Sequence, residues 1–350
     1  MMNPRNGVRK YVCYTLILLL TGMAGAAYGQ TAQTDLPERL REALELYLKG
    51  KPDDAIKMVE TLFQQTNLQP ADSIALLECL SVCTFAKGVQ YQTKALEYLD
   101  RIASVGPCIN PLPKKFWPTK LADKWYSILR AQNVFACQSD LPEGFQTIAF
   151  MPFDNYSVGE YQESLGRLSH AMTEFMCEDF SAFSDISIVE RRKINFLLKE
   201  HEMSEAGLMD PATAVETGKI AGAQLMVFGS ITQIDKNTAR MIVKVVDVET
   251  SKIITSVSTD GKPDYGSMEK ELVEKLAEKL ELTMKADGRE LLEKSGTENH
   301  DAMYYYGLGL ELGDKYDYSG AYENFKKACD LDADFAQARE QMKNYFPLKG

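Results

Sequence analysis

The spacing of hydrophobic residues between positions 145 and 285 changes several times, and each change marks a different predicted element. Short apolar runs at 145–153 and 186–190 predict buried strands. The stretches at 163–180 and 191–202 carry apolar residues three and four positions apart, which is the spacing of an amphipathic helix. Strands therefore alternate with helices in the first part of this segment.

Three further apolar runs follow one another at 224–234, 239–248 and 252–259, separated only by turn-like residues. Strands spaced this closely predict an antiparallel meander. Asp210 and Pro211 predict a helix start before the meander, because aspartate caps a helix and proline suits its first turn. With a closing helix after the meander, the pattern predicts an α+β fold in which helices pack on a mixed sheet.

The regions on either side of this segment read as helices throughout. Residues 37–140 contain helical hairpins in which Ala55 and Ala95 occupy similar positions, and residues 299–345 show a comparable spacing of small and large residues. Both regions resemble tetratricopeptide-type helical repeats. In the C-terminal region the resemblance rests on Tyr305, Leu308, Gly309, Leu312, Ala321, Phe325 and Ala328. One repeat cannot bury its own apolar face, so we expect it to pack on the central domain, on the N-terminal helices or on a partner.

Residues 1–29 have the layout of a secretory signal peptide. Three cations, Arg5, Arg9 and Lys10, precede an apolar run that is too short for a membrane-spanning helix of about 20 residues. Small residues then lead to Gly29, after which we expect cleavage. The rest of the chain contains no comparable apolar stretch, so we expect no transmembrane segment in the mature chain.

Composition is that of a folded protein, with 45% hydrophobic and 25% charged residues. The net charge is −11, and the chain after the signal peptide is more acidic still. An acidic body disfavours nonspecific binding to nucleic acid or to an anionic membrane surface. We divide the mature chain into a helical domain at 30–140, a central domain at 145–287 and a helical repeat at 299–350.

Six cysteines remain after the predicted cleavage. Cys108 and Cys137 bracket one predicted helix and form the best candidate disulfide, although spacing alone does not fix the pairing. Cys79 and Cys83 fall on the packed face of another predicted helix. Because no histidine or second cysteine pair is spaced to complete a metal site, packing explains them better than metal binding.

Four short motifs follow one another through the central domain. They are TIAFMPFDN at the first strand, VERR followed by Leu197 and Glu200, GAQLMVFGSI at the start of the meander, and VVDVETS at its second turn. In this order they resemble the curli production assembly/transport (CsgG) family, with a fold of the TolB N-terminal-like type. The resemblance implies a non-catalytic envelope protein that assembles with, or transports, other proteins.

The chain departs from the family pattern at several places. Members that form secretion channels insert membrane-crossing hairpins where this chain has only 236–239 and 260–267. Each such hairpin needs roughly 20 residues, so neither connection is long enough. The cleavage point also lacks a lipid-accepting cysteine, and Ser251 stands where the family usually has glycine. We therefore expect this protein to form no membrane pore of its own.

A catalytic constellation is not recognisable in the sequence. His170, His201 and His300 lie in polar surroundings that are typical of solvated histidines. No phosphate-binding loop, nucleophile elbow or zinc-binding helix motif is present. We expect no catalytic residue, no cofactor and no metal ion.

Two residue groups are candidates for binding a protein partner. Glu190, Arg191 and Arg192 form a charged group at a predicted helix start, where the alternative is a capped and solvated helix end. Tyr304 and Tyr306 could line a peptide groove, where the alternative is packing inside the helical repeat.

These observations favour a periplasmic assembly protein, peripheral to the outer membrane, that binds other envelope proteins and can self-associate. One alternative is a regulatory binding module that activates a peptidoglycan synthase. A second alternative is a subunit of a curli-type secretion channel.

Overall fold

The structure is a computed structural model. It describes residues 36–64, 68–108, 116–135, 145–200 and 211–350. The predicted signal peptide, Cys137 and His201 lie outside the described residues.

The central sheet is mixed, as the sequence predicts. Its strands are β1 Gln146–Phe150, β2 Asp154–Asn155, β3 Ile186–Ile188, β4 Leu225–Asp235, β5 Thr238–Asp247 and β6 Ile253–Gly261. They are arranged in the order β3-β1-β4-β5-β6, and the short β2 pairs with β4 beyond the end of β1. The pairs involving β1, β2 and β3 are parallel, whereas β4, β5 and β6 form the predicted antiparallel meander.

Helices precede, surround and follow this sheet. Before it come α1 Leu36–Leu48, α2 Pro52–Phe63, α3 Pro70–Phe85, α4 Gln92–Val105 and α5 Thr119–Ala131. Between and after the strands lie α6 Glu160–Phe180, α7 Arg191–Glu200, α8 Pro211–Ala221, α9 Tyr265–Lys279 and α10 Gly288–Lys294. The chain ends with α11 His300–Asp314, α12 Tyr318–Leu331 and α13 Ala336–Tyr345. The sequence pattern did not predict β2 or α10, both of which are short.

The break between β1 and β2 has a clear cause. Pro152 has no amide hydrogen and cannot continue the ladder, so the chain leaves β4 after Met151 and rejoins it at Asp154. The ring of Phe153 fills the gap by lying over Gly229 of β4, where an added Cβ would meet the ring at 2.2 Å. Phe153 of the first sequence motif and Gly229 of the third motif therefore pack against each other.

The covered face of the sheet carries α6 and α9. Alternate residues of the meander point toward these helices and are buried, which is the period-two pattern of a strand with one covered face. They include Val227, Ile231, Met241, Val243, Val245 and Val257. Helices α7 and α8 pack against β1 and β4, and the right-handed crossover rule places them on the opposite face.

The C-terminal helices pack on both of the preceding regions. Helix α11 lies along α6 of the central segment. The ring of Tyr318 in α12 packs edge-on against Phe85 of α3, and its hydroxyl accepts a hydrogen bond from the amide of Lys120. The apolar face of this helical region is therefore buried within the chain itself. The interpretation of the flanking helices as tetratricopeptide-like repeats stays a prediction.

None of the helices in the described part of the chain combines the length and the apolar character needed to cross a membrane.

Helix α11 lies close against α6 at Gly307, where an added Cβ would lie 2.0 Å from the carbonyl oxygen of Arg167. We expect Gly307→Ala to push the two helices apart and to lower the free energy of unfolding by about 1–3 kcal/mol. Gly166→Ala is the matched control, because no atom lies within 4 Å of a Cβ there. That control should be neutral or stabilising, since alanine favours a helix over glycine. Equal stability of the two variants in urea unfolding would contradict the described packing.

Candidate functional site

Arg191 is the centre of a buried junction between three helices. Its Nε lies 2.6 Å from Oε2 of Glu174 in α6, and its Nη1 lies 2.8 Å from Oδ2 of Asp314 in α11. The side chain of Arg191 is only 10% exposed, and Asn195 donates a further hydrogen bond to the same oxygen of Asp314. Because the planar guanidinium carries donors in several directions, one side chain can hold α6, α7 and α11 together.

The residues beside Arg191 connect α7 to the N-terminal helices. Glu190 accepts a 2.7 Å hydrogen bond from the hydroxyl of Tyr126 in α5. Arg192 donates a hydrogen bond to the backbone carbonyl of Trp117. The charged group that the sequence assigned to an external partner thus contacts the flanking helices of its own chain.

The two tyrosines assigned to a peptide groove also make internal contacts. Tyr306 is fully buried, and its ring centroid lies 5.5 Å from that of Phe175 and 4.9 Å from that of Phe335. A partner cannot reach this ring in the folded chain, which corrects the groove assignment for Tyr306. Tyr304 is half-buried, and its hydroxyl accepts a 2.9 Å hydrogen bond from Arg167 of α6. The packing alternative weighed for these residues therefore describes their surroundings better.

Charges at the junction are strongly coupled. Burial alone would raise the pKa of Asp314, but Arg191 outweighs burial and keeps that pKa below its usual value. Burial and the neighbouring Arg191 lower the pKa of His170, which is half-buried on α6 rather than solvated. The junction therefore contains an ionised Arg191–Asp314 pair beside a histidine that favours its neutral form.

Glu178 lies one turn further along α6, where that helix meets α13. Burial raises the pKa of Glu178 to about 8, and the carboxylates of Glu174, Glu340 and Asp179 act in the same direction. A hydrogen bond from Gln337 opposes these effects without cancelling them. The folded chain therefore favours a protonated Glu178 near neutral pH.

Cysteines and metal-binding groups offer no further site in the described residues. Cys79 and Cys83 are buried in α3 with their sulfur atoms 3.9 Å apart, as the packing interpretation predicts. Cys108 is disulfide-bonded, and the four other described cysteines carry free thiols. Its predicted partner Cys137 lies outside the described residues, so that pairing stays a prediction. Within the described ranges no three histidine, cysteine, aspartate or glutamate side chains are placed to hold a metal ion.

The solvent-facing side of the meander presents a different kind of surface, which we call the open face. Strand pairing places its residues in rows across β4, β5 and β6. They are Phe228, Ser230, Thr232, Arg240, Ile242, Lys244, Val246, Ile253, Ser256, Ser258 and Asp260, and Ile234 follows them at the register shift between Gln233 and Asp235. Each of them is partly or fully exposed, whereas their neighbours along the strands are mostly buried.

Apolar side chains concentrate at the end of the open face near the β4–β5 turn. Ile234 is 64% exposed. Asn155 pairs with Ile231, which faces the covered side, so Tyr156 and Val158 point to the open side. Both are about half exposed and extend the apolar surface beyond β4.

Two cations lie near the middle of the open face. Arg240 forms an ion pair of 2.7 Å with Asp260 on the neighbouring strand. Lys244 stands between Phe228 and Ser256 in its row and makes no ion pair with a described residue. The open face therefore combines apolar side chains with one uncompensated positive charge, on a chain that is acidic as a whole.

This surface was not predicted from the sequence. The run MIVKVV in β5 is apolar at both odd and even positions, and such runs are typical of strands covered on both faces. Short turns join the strands of the meander, so no long connecting segment is available to cover both faces of the sheet there. Apolar residues at both odd and even positions of β5, together with the short turns on either side of that strand, are the signal that could have revealed the open face.

With this geometry described, the chain can be compared with known proteins. Residues 131–243 match the family model for the curli production assembly/transport component CsgG. The sequence-based resemblance is thereby confirmed for a segment that runs from the end of α5 into β5. This CsgG-type segment contains Arg191 of the junction and most of β4 and β5, but it covers less than half of the chain.

Solved structures similar to the chain are distant. The LpoB C-terminal domain from Escherichia coli is 14% identical, with a TM-score of 0.27 over 38% of this chain and 91% of that one. The lipoprotein GNA1162 from Neisseria meningitidis is 16% identical, with a TM-score of 0.28 over 34% of this chain and 81% of that one. Likeness at this level says nothing about what this chain binds. No curated protein sequence matches the chain.

Loss of the Arg191 guanidinium should be costly, because it leaves the carboxylates of Glu174 and Asp314 buried without their cation. We expect Arg191→Met to lower the free energy of unfolding by about 3–5 kcal/mol. Arg289→Met is the matched control, since the Arg289–Glu274 pair has an equally short separation of 2.7 Å but is more than half exposed. That control should cost under about 1 kcal/mol. Similar losses for both variants in denaturant unfolding would rule out a special role for the junction.

Stability should also depend on the proton of Glu178. Its pKa of about 8 in the folded chain exceeds that of an unfolded glutamate, so the folded state holds the proton more tightly. The stabilisation of the folded chain by this proton is fully present below about pH 4.5. It is lost as the pH rises through the pKa that Glu178 has in the folded chain. Glu178→Gln removes the titration. Relative to wild type, its free energy of unfolding should rise by roughly 2–3 kcal/mol between about pH 5 and pH 8.5, allowing for solvent screening.

Urea unfolding across this pH range measures the effect. Glu290→Gln is the control, because Glu290 is exposed and its pKa is lowered by Lys294, outside the window tested. The control should track wild type at each pH. Parallel pH profiles for Glu178→Gln and wild type would show that Glu178 does not hold its proton in the folded chain.

Proposed function

We propose that this protein is a non-catalytic assembly module of the cell envelope, which acts in the periplasm by binding protein partners through its open face. The CsgG-type match at residues 131–243 carries this proposal. It supports an assembly or transport role for the central segment. The predicted signal peptide supports the periplasmic location.

The junction around Arg191 makes the sheet a better docking surface for a partner than the start of α7. Arg191 and its neighbours are occupied by contacts within the chain, so they are not free for a partner. Those contacts fix the flanking helices against the sheet. A partner therefore meets a preorganised surface, and association costs less conformational entropy than docking onto a flexible one.

The chemistry of the open face indicates what kind of partner suits it. Phe228 and Ile242 offer apolar area in the middle of the face, with Val246 at one end and Tyr156 and Ile234 at the other. Protein interfaces place apolar and aromatic side chains in such a centre with polar groups around it. Lys244 adds a positive charge, so the matching partner surface is apolar and carries an acidic side chain.

The connections within the central segment bear on the transport alternative. Two residues, Lys236 and Asn237, join β4 to β5, and residues 262–264 join β6 to α9. Neither connection has room for an inserted hairpin of about 20 residues. This favours an accessory role in assembly over the role of a channel subunit.

Capture from the periplasmic fraction tests the proposal. The full-length chain is photo-crosslinked in the cell through a reactive amino acid at Ser230 of the open face. The product is then released by osmotic shock and identified by mass spectrometry. We expect one dominant envelope protein. Ile242→Glu should reduce the crosslink at least tenfold, because a buried, unpaired carboxylate in the interface costs several kcal/mol.

Leu291→Glu is the matched control, since Leu291 is 44% exposed on α10, away from the meander. It should leave the crosslink unchanged. Recovery of the chain in the cytoplasm, or equal crosslinking by the two variants, would overturn the proposal. Capture of a peptidoglycan synthase would favour the regulatory alternative over an assembly role.

A further inference from the structure

The two faces of the sheet are covered to different extents. On the covered face, α9 lies over β5 and β6, and α6 lies over β1 and β4. On the opposite face, α8 lies over the start of β4, where a Cβ added at Gly218 would be 2.8 Å from Sδ of Met226. Met226 pairs with Val246 in the end row of the open face. Helix α8 therefore borders the open face at that end.

Beyond this border, no helix in the described part of the chain covers β5 and β6 on the open side. Lys244 and Ser256 are exposed, whereas their covered-face neighbours Val243 and Val257 are buried. A sheet face that meets only solvent normally carries polar residues at its outward positions. The outward positions here include four apolar residues, Phe228, Ile242, Val246 and Ile253. Contact with solvent alone therefore does not explain the composition of the open face.

The apolar side chains of the open face follow the direction of the strands. Val246, Phe228 and Ile242 lie in successive rows, starting beside α8. From Val246 to Arg240, β5 extends over about 20 Å, since a strand rises about 3.4 Å per residue. The three strands of the meander are together about 10 Å wide, which is the diameter of one helix. A single helix of about 13 residues therefore fits the open face in length and in width.

Helix α9 shows how the same strands accept a helix on their other face. It has 15 residues and buries Met268, Leu272 and Leu276 at intervals of four. That spacing gives a helix one apolar side. A second helix with this pattern would place its apolar side on Phe228 and Ile242 in the same way.

The charges of the open face indicate which polar residue such a helix carries. Arg240 is already paired with Asp260 on the neighbouring strand. Lys244 lies between Phe228 and Ser256 in its row and makes no ion pair with a described residue. A helix seated on this row takes water away from Lys244, so the ammonium group requires an acidic side chain opposite it.

We propose that the open face binds an amphipathic α-helix of an envelope protein, which lies along β5 beside α8 and places an acidic side chain against Lys244. This inference deepens the proposed function by naming the partner's binding element, and it rests on that function. The bound helix completes on this face the layer that α6 and α9 form on the other. Burial of its apolar side supplies the affinity, and the charge pair fixes its position along the strands.

Crosslink mapping along the open face tests the helix. The full-length chain carries the photo-reactive amino acid at Ser230, Thr232, Ser256 or Ser258, one position at a time, and tandem mass spectrometry locates the attached partner residue. Moving from Ser230 to Thr232 advances the probe by about 7 Å, which is about four or five residues of a helix but about two of an extended strand. Moving from Ser256 to Ser258 advances it in the same direction, because β4 and β6 both run antiparallel to β5.

We expect both moves to shift the attachment by about four or five residues, in the same direction and within one partner segment. A shift of about two residues would show an extended segment and overturn the proposal. Attachment to unrelated partner segments, or within the same chain, would overturn it as well.

Charge reversal tests the acidic contact. Lys244→Glu should reduce crosslinking through Ser230 by roughly tenfold or more, because like charges then meet in a desolvated contact. Changing the acidic partner residue opposite position 244 to lysine should restore crosslinking. Lys279→Glu is the matched control, since Lys279 is exposed on α9, on the other side of the sheet. Equal crosslinking by the two variants, or no restoration, would refute the proposed contact.

The outcomes also separate the two proposals. An envelope protein whose attachment shifts by the two-residue step refutes the helix and leaves the proposed function intact. Attachment of a helix from a cytoplasmic protein does the reverse. No attachment at any of the four positions would refute both.

Discussion

The ion pairs of Arg191 with Glu174 and Asp314 hold together parts of the chain that are far apart in sequence. Asp314 lies 123 residues after Arg191, and both side chains are largely buried. Burying charges costs solvation, so such a network adds little net stability compared with apolar packing. Separating α6, α7 or α11 at this point would leave a charge buried without a partner, so the network favours this arrangement of the three helices.

That dependence explains why the charged residues at the start of α7 do not form an outer binding surface. Glu190, Arg191 and Arg192 each reach a different part of the same chain. Residues 36–350 accordingly form one compact unit. The meander, in contrast, has a covered face and an open one. The part of the sheet that the helices leave uncovered is therefore the open face, at the far side of the sheet from β3.

Much of the fold could be predicted from the sequence, because strand and helix periods are local properties. Pro211 begins α8, and the three meander strands lie within two residues of their predicted ends. The site was harder to predict, since partners such as Arg191 and Asp314 meet only through the tertiary fold. Tyr306 illustrates the limit, because a tyrosine at helical spacing suits a groove and a core equally well. The break at Pro152 was not predicted, because the apolar run 145–153 reads as one strand, and the contact of Phe153 with Gly229 forms only in the folded chain.

The late position of Asp314 also orders events during synthesis. A nascent chain emerges from its N-terminus, so Arg191 and Glu174 are present long before α11 exists. Until that helix arrives, the guanidinium has only half of its acidic partners, and the groove along α6 that receives Gly307 is empty. Docking of α11 therefore supplies the second carboxylate, and the junction is completed by a helix that is made after the whole sheet.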